Sequence, residues 1–277
     1  MCTENKNLRI FLLGGTKDAT DIIKLIKSNF NDSYILTTTT TEYGAKLSEV
    51  SGSDETISKP LVKEEILDIL NSDNFDYLID ATHPFASHIT QTITEVSKIT
   101  GIPFIRFERP RFDLNKVDTS HVYHVNSFSD AGKIIVEDLG LKNRNILHFA
   151  GANTMSEVLE YVDKNYFFPR ILKVESSLKK CEDLGIASDH ILAMNGVSSK
   201  EDNIFLIQKY DAAVIITKES GETGGLFEKI SAANEIGINI VLVDRPEVPN
   251  LNESNVVDNF NELLIRLNSW KLLIIVK

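Results

Sequence analysis

Cysteine is almost missing from this chain. Cys2 and Cys181 are the two in 277 residues, and their spacing fits neither a disulfide framework nor a metal-ligand set. No apolar run approaches the roughly 18 residues that a membrane span requires; Leu272 to Val276 reads as a short terminal strand. Met1 to Asn7 is polar and lacks the apolar core of a signal peptide. Positive charge is in deficit too, with 29 Lys and Arg against 40 Asp and Glu and a formal charge of −11. That excludes a general nucleic-acid binder, which would carry a basic face. It leaves room for an anionic small molecule at a local basic rim. No Ser-His-Asp order, metal cluster, P-loop or low-complexity tract stands out. A cytoplasmic protein with no nucleic-acid or membrane partner is expected, its oligomeric state open.

What the chain does contain is an internal echo. Gly101-Ile-Pro-Phe-Ile-Arg-Phe-Glu-Arg-Pro110 is matched by Gly237-Ile-Asn-Ile-Val-Leu-Val-Asp-Arg-Pro246. The preceding stretches, Asp76-Tyr-Leu-Ile-Asp-Ala-Thr-His83 and Asp211-Ala-Ala-Val-Ile-Ile-Thr-Lys218, both read as a buried strand ending in a polar or ionisable residue. A turn and a helix follow each, Ser87 to Ile99 and Leu226 to Ile236. Strand, helix and parallel strand in that order require a right-handed crossover. The chain therefore reads as two related α/β halves, 1–115 and 116–277, divided in the polar stretch Pro110 to Ser120.

The first half carries strands near Leu8 to Leu13, Tyr34 to Thr38, Ile57 to Lys59, Tyr77 to Ala81 and Pro103 to Phe107. Helices are expected at Asp18 to Ser28 and Lys63 to Leu70. In the second half, strands are expected at Asn145 to Phe149, Phe168 to Val174, His190 to Met194, Ala212 to Thr217 and Ile238 to Val243. Helices fall near Ser129 to Leu139, Thr154 to Tyr161, Ser177 to Leu184 and Glu201 to Tyr210. Alternation of this kind predicts doubly wound, mainly parallel sheets. The tail adds a helix, Val257 to Leu267, before the terminal strand, which has a free choice of sheet.

Three turns carry chemistry. Gly14-Gly15-Thr16-Lys17 lies between the first strand and helix, where glycines admit a ligand to the backbone and the helix N-terminus favours an anion. It is not G-x-G-x-x-G, no acidic residue follows the second strand directly, and a plain tight turn is the other reading. Lys218, Ser220 and Gly221 occupy the corresponding turn of the second half, as a further anion site or a solvated connector. Asp80-Ala-Thr-His83 is the most loaded. His83 is a candidate proton donor near neutral pH, oriented by Asp80, or else His83 and Thr82 serve only the turn backbone. Arg106, Arg109, Arg111 and Arg245 flank the echoing strands, and arginine forks match carboxylates; salt bridges to Glu108 or Asp244 are the alternative.

These loops resemble the precorrin-6A reductase and cobalt-precorrin-6A reductase family of cobalamin biosynthesis. The resemblance rests on Leu-Leu-Gly-Gly-Thr (12–16), Thr-Glu-Tyr-Gly (41–44), Asp-Ala-Thr-His-Pro-Phe-Ala (80–86), Arg-Phe-Glu-Arg-Pro (106–110), Thr-Lys-Glu-Ser-Gly (217–221) and Asp-Arg-Pro (244–246), and runs from residue 8 to about 246. It implies two Rossmann-like domains and reduction of a corrin precursor by NADPH or NADH. In that reading Gly14, Gly15, Thr16, Lys17, Thr82, Lys218, Ser220 and Gly221 meet the cofactor. Asp80 and His83 lie at the reacting end, and Arg106, Arg109 and Arg245 meet substrate carboxylates.

Asp18 stands where the family commonly has Glu, Ser58-Lys59 for a frequent Gly-Arg, Gly196-Val-Ser-Ser199 for Gly-Pro-Phe-Ser, and His148-Phe-Ala-Gly151 for a hydroxyl-rich turn. Little Gly, Ala and Arg beside much Lys, Ile and Asn suggests an AT-rich genome, and many organisms of that kind use the early-cobalt route. Cobalt-precorrin-6A is therefore the expected substrate. Metal-free precorrin-6A with NADPH, a non-catalytic tetrapyrrole- or nucleotide-binding module and a sugar transferase are the rivals.

Overall fold

The computed structural model describes residues 7–275; Met1 to Lys6, with Cys2, and residues 276–277 lie outside the described residues. Two compact units result. One holds the chain up to Arg109 together with the segment from Glu247 onward, and the other is Pro110–Pro246.

In the first unit the elements run β1 (Arg9–Leu13), α1 (Lys17–Asn29), β2 (Tyr34–Thr39), α2 (Glu42–Val50), β3 (Glu55–Ser58), α3 (Lys63–Ser72), β4 (Tyr77–Asp80), α4 (Ser87–Thr100) and β5 (Phe104–Phe107). The second unit then contributes β6 (Val122–Val125), α5 (Phe128–Glu137), β7 (Asn145–His148), α6 (Met155–Val158), β8 (Phe167–Ile171), α7 (Glu175–Asp183), β9 (Leu192–Ala193), α8 (Lys200–Lys209), β10 (Ala212–Lys218), α9 (Leu226–Ile236) and β11 (Asn239–Val243). The tail returns to the first unit with β12 (Val256–Val257) and α10 (Phe260–Ile275).

Each unit is built on a six-stranded sheet, in the orders β3-β2-β1-β4-β5-β12 and β9-β8-β7-β10-β11-β6. Their strand pairs are all parallel. The first order is the doubly wound 3-2-1-4-5-6 pattern, and the second repeats it position for position. The sixth strands are exchanged. After β5 the chain leaves to supply the sixth strand of the second sheet, and after β11 it returns to supply that of the first. Registers agree: Arg106 and Phe107 face Val256 and Val257, while Leu242 and Val243 face His124 and Val125. The Gly-Ile pairs of the echo are explained as helix ends. Gly101 and Gly237 take φ of 71° and 78° after α4 and α9, a left-handed cap that glycine adopts without strain.

The first sheet is covered on both faces. Ile10, Leu12 and Ile79 pack with Ile22, Ile23 and Ile26 of α1 and with Leu263 and Leu267 of α10. Phe11, Leu13, Leu78 and Phe104 meet Ile66 and Leu70 of α3 and Ile93 and Val96 of α4. In the second unit, Leu147, Ile215, Ile240 and Leu242 pack with Leu206, Ile207, Leu226 and Ile230 of α8 and α9.

Two expectations need correction. The tail does not belong to the second unit, because β12 pairs with β5 and Val257, Leu263 and Leu267 complete the first core. The expected terminal strand is helical through Ile275. Neither Gly nor Pro separates it from the turns before it, and an established helix adds a hydrogen bond per residue as it extends; Val276 lies outside the described residues.

Leu267 is fully buried in the first core, so Leu267→Ala should cost about 2–5 kcal/mol. Native-state hydrogen exchange should show amides of β1, β4 and β5 losing protection, while those of β7, β10 and β11 keep theirs.

Candidate functional site

The order of the first sheet reverses direction between β1 and β4, and ligands of doubly wound sheets bind outside the strand ends at such a point. There the structure assembles two turns that are 65 residues apart, as Thr16 Oγ1 donates to the Ala81 carbonyl at 2.7 Å. Thr16 also caps α1 by accepting from the Ala19 amide. Gly14 has no room for a side chain, since a Cβ would stand 2.9 Å from Thr37 Cγ2. Gly15 has φ of +93°, where other residues are strained. Gly44, in α2, faces Gly15 closely: a Cβ there would lie 3.5 Å from Gly15 Cα. The result is a glycine cradle against the N-terminus of a 13-residue helix.

Beside it, Asp80 and Arg106 are 0% and 1% exposed. They stand opposite each other in the register of β4 and β5, with Arg106 Nη1 2.8 Å from Asp80 Oδ1. The same carboxylate oxygen accepts from the Thr82 hydroxyl and amide at 2.7 and 2.9 Å. The other accepts from Thr90 Oγ1 of α4 at 2.6 Å. Arg106 further donates to Thr82 Oγ1 at 3.1 Å and pairs with Glu108. This corrects two expectations. Arg106 is locked in the interior, not offered to substrate, and Asp80 spends its oxygens on Thr82, Thr90 and Arg106 instead of orienting His83. His83 Nδ1 accepts the Phe85 amide at 3.1 Å, which assigns the ring hydrogen of the neutral imidazole to Nε2. Arg109 pairs with Asp18 at 2.5 Å; burial raises the Asp18 pKa, against the opposing pull of Arg109.

In the second unit the equivalent point lies between β7 and β10. Arg245 forms a buried pair with Glu219 and donates to the Pro110 carbonyl. Glu219 Oε1 accepts from the amides of Phe112 and Gly221 at 3.0 and 2.9 Å. The Gly221 amide is thus spent on Glu219, and Ser220 is buried at 4% exposure. Arg245, Ser220 and Gly221, expected to meet ligands, are parts of the turn itself. Lys218 is half-buried at the end of β10, and burial lowers its pKa to about 8. His148 is fully buried, its Nε2 2.9 Å from Thr154 Oγ1 and 3.2 Å from the Gly151 carbonyl. The expectations passed over two cations at this edge, Arg170 of β8 and Lys229 of α9. The available signal for Lys229 was a lysine three residues after Leu226 and next to Ile230 on an apolar helix face.

A 3-2-1-4-5-6 parallel sheet with a glycine turn and a capped helix at its switch point is the α/β build that holds dinucleotides. The comparisons with known proteins narrow this. Residues 9–268 match the family model described as precorrin-6x reductase CbiJ/CobK. The chain belongs to that family, which consists of oxidoreductases of cobalamin biosynthesis. It is 38% identical over 261 residues to the cobalt-precorrin-6A reductase of Methanothermobacter thermautotrophicus, covering 94% of this chain and 84% of that one. It is 37% identical to the cobalt-precorrin-6A reductase of Methanocaldococcus jannaschii, covering 87% and 92%. The solved structure described as CobK precorrin-6A reductase shares the fold with a TM-score of 0.72 at 16% identity, over 95% of this chain and 97% of that one. Among the described residues, no helix is long and apolar enough to cross a membrane.

Asp80→Asn removes the closer of the two carboxylates that pair with the buried Arg106 guanidinium and leaves Glu108 at 3.4 Å, and should destabilise the protein by about 3 kcal/mol in denaturant titration. Adding Arg106→Met should recover much of that loss. Acid should act through His148, whose pKa is pushed from 6.5 down to about 3, first by burial and further by the Lys218 charge, against the Gly151 hydrogen bond. The unfolded chain therefore binds a proton that the folded one refuses, and stability falls as pH drops from 6.5 toward 3. A His148→Gln variant should show a shallower loss over that window.

Proposed function

We propose that this chain reduces cobalt-precorrin-6A to cobalt-precorrin-6B, with NADH or NADPH held at the carboxyl edge of the first sheet. The observation that carries the reading is the glycine cradle at the β1–β4 switch point, in a chain that belongs to a reductase family. Relatives at 38% and 37% identity act, by their names, on the cobalt-bearing compound, which supports that substrate over the metal-free one. A cytoplasmic location goes with the reading, since reduced nicotinamide is supplied there.

Gly14 and Gly15 let the backbone approach the dinucleotide, and the first turn of α1 offers amides and a positive dipole end to its phosphates. Thr16 orients the turn by capping the helix, and Lys17 adds a positive charge beside it. No carboxylate stands directly after β2, where Thr40 and Thr41 follow Thr39; the first acid is Glu42, which opens α2. When bound, the dinucleotide supplies the hydride.

Thr82, fixed by Asp80 and Arg106, lines the approach from β4. His83 lies next to it, with its Nε2–H as donor of a hydrogen bond at the reacting end. Lys218 meets an anionic group of ligand in the second unit. Arg106, Arg109 and Arg245 act by holding turns in place, since their guanidinium groups are engaged by Asp80, Asp18 and Glu219.

The test is anaerobic absorbance at the nicotinamide band, with cobalt-precorrin-6A and each cofactor in turn. Substrate-dependent loss of the band is expected, and its absence with both cofactors overturns the reading. Gly15→Ala introduces a side chain at positive φ, a strain of order 1–3 kcal/mol, and should raise the KM for nicotinamide about tenfold. Turnover undiminished in His83→Ala would assign the proton to water or to the substrate's own carboxyl groups.

A further inference from the structure

Asp18 is an acid where the proposed dinucleotide site calls for the opposite charge. In the first turn of α1, the Ala19 amide is taken by Thr16 Oγ1 and the Thr20 amide by the Thr16 carbonyl. The amides that the turn leaves for an anion are therefore those of Lys17 and Asp18. Asp18 thus offers a donor through its backbone and carries a negative charge on its side chain. Lys17 is exposed, so solvent screens the compensation that its ammonium gives.

The fold answers that charge with Arg109. This residue lies two positions beyond the end of β5, and its Nη2 stands 2.5 Å from Asp18 Oδ2. Both side chains are largely buried, at 12% and 13% exposure. Burial pushes the Asp18 pKa up. The charge of Arg109 and then its hydrogen bond pull it down, while Asp21 adds a push and Arg106 a weaker pull. Arg106 is no substitute for Arg109, since Asp80 and Glu108 engage it. Without Arg109, the first turns of α1 would present the charges of Asp18 and Asp21 together.

Helix stability alone does not call for this arrangement. An acid in the first turn is favourable at a helix N-terminus with no cation beside it. Covering it with a guanidinium gains most where a second anion has to approach the same turn, because two like charges at close range repel strongly in a partly buried site.

We propose that Arg109 is a positioning residue for the cofactor, masking the Asp18 carboxylate so that the glycine cradle accepts the phosphates of a dinucleotide. Arg109 acts through Asp18 and not on the phosphates themselves. This deepens the reductase reading and rests on it for the identity of the anion.

Calorimetry at pH 8, which favours the ionised carboxyl, measures the Kd of NADH, NADPH and inorganic pyrophosphate. The chains compared are wild type, Arg109→Met, Arg109→Gln, Arg109→Lys, Asp18→Asn and the double variant Arg109→Met/Asp18→Asn. Arg109→Met and Arg109→Gln should weaken binding at least tenfold, and that loss should shrink as salt is raised. Asp18→Asn should bind at least as tightly as wild type, and Arg109→Lys should keep most of the affinity. The double variant should return to within twofold of wild type; because it lacks the whole pair, its recovery excludes misfolding as the cause of the loss. In turnover, the KM for cobalt-precorrin-6A should stay within twofold throughout while that for nicotinamide follows the Kd.

A double variant that fails to recover would make Arg109 a direct phosphate contact, and unaltered affinity in Arg109→Met would make the pair a structural staple; both overturn the proposal. Pyrophosphate binding that depends on Arg109 and recovers in the double variant would sustain the mask even if the wild type oxidised no nicotinamide. A wild-type chain that binds neither dinucleotide nor pyrophosphate would overturn it.

Discussion

The buried pair between Asp80 and Arg106 is the constraint on which the first unit's switch point depends. Its value is positional. Both charges are taken out of water, and the attraction between them roughly offsets the cost of that transfer. What the pair supplies is direction. One carboxylate holds the ends of β4 and β5 in register, the Thr82 amide and hydroxyl, and the Thr90 hydroxyl of α4. Because Thr16 is tied to the Ala81 carbonyl next to Asp80, the glycine cradle is set from the same centre.

The two halves of the duplication have spent their charges differently. Where the first unit places Asp80 opposite Arg106, the second places Thr217 opposite Leu242. Arg109 and Arg245, equivalent in the echo, both found carboxylates, Asp18 and Glu219. Lys229 and Arg170 have carbonyl oxygens instead.

Much of the fold was legible because buried parallel strands are written as apolar runs and their helices as amphipathic ones; α9 ran over the same residues as expected. α2 was missed because its polar start, its internal Gly44 and its threonine-rich approach hide the apolar period, and Thr41 ahead of Glu42 was the one cue. The site was legible as turns but not as roles. Motif and strand-end position place Asp80, Arg106 and His83 near chemistry. Whether a guanidinium faces solvent or a carboxylate depends on which strands are neighbours, and that information lies in the sheet order. Likewise the destination of the tail turned on pairing between β12 and β5, two residues long, too short to leave a periodic signal.

The exchanged sixth strands have a consequence for how the chain is made. The second unit is contiguous and can close as soon as Pro246 has left the ribosome. The first unit begins earlier but waits: until Val256, Val257 and the buried leucines of α10 are synthesised, β5 keeps an open edge and Ile10, Leu12 and Ile79 lack part of their cover. The half that is translated first is thus the half that is finished last, and the growing chain must carry an incomplete sheet through the synthesis of an entire second domain.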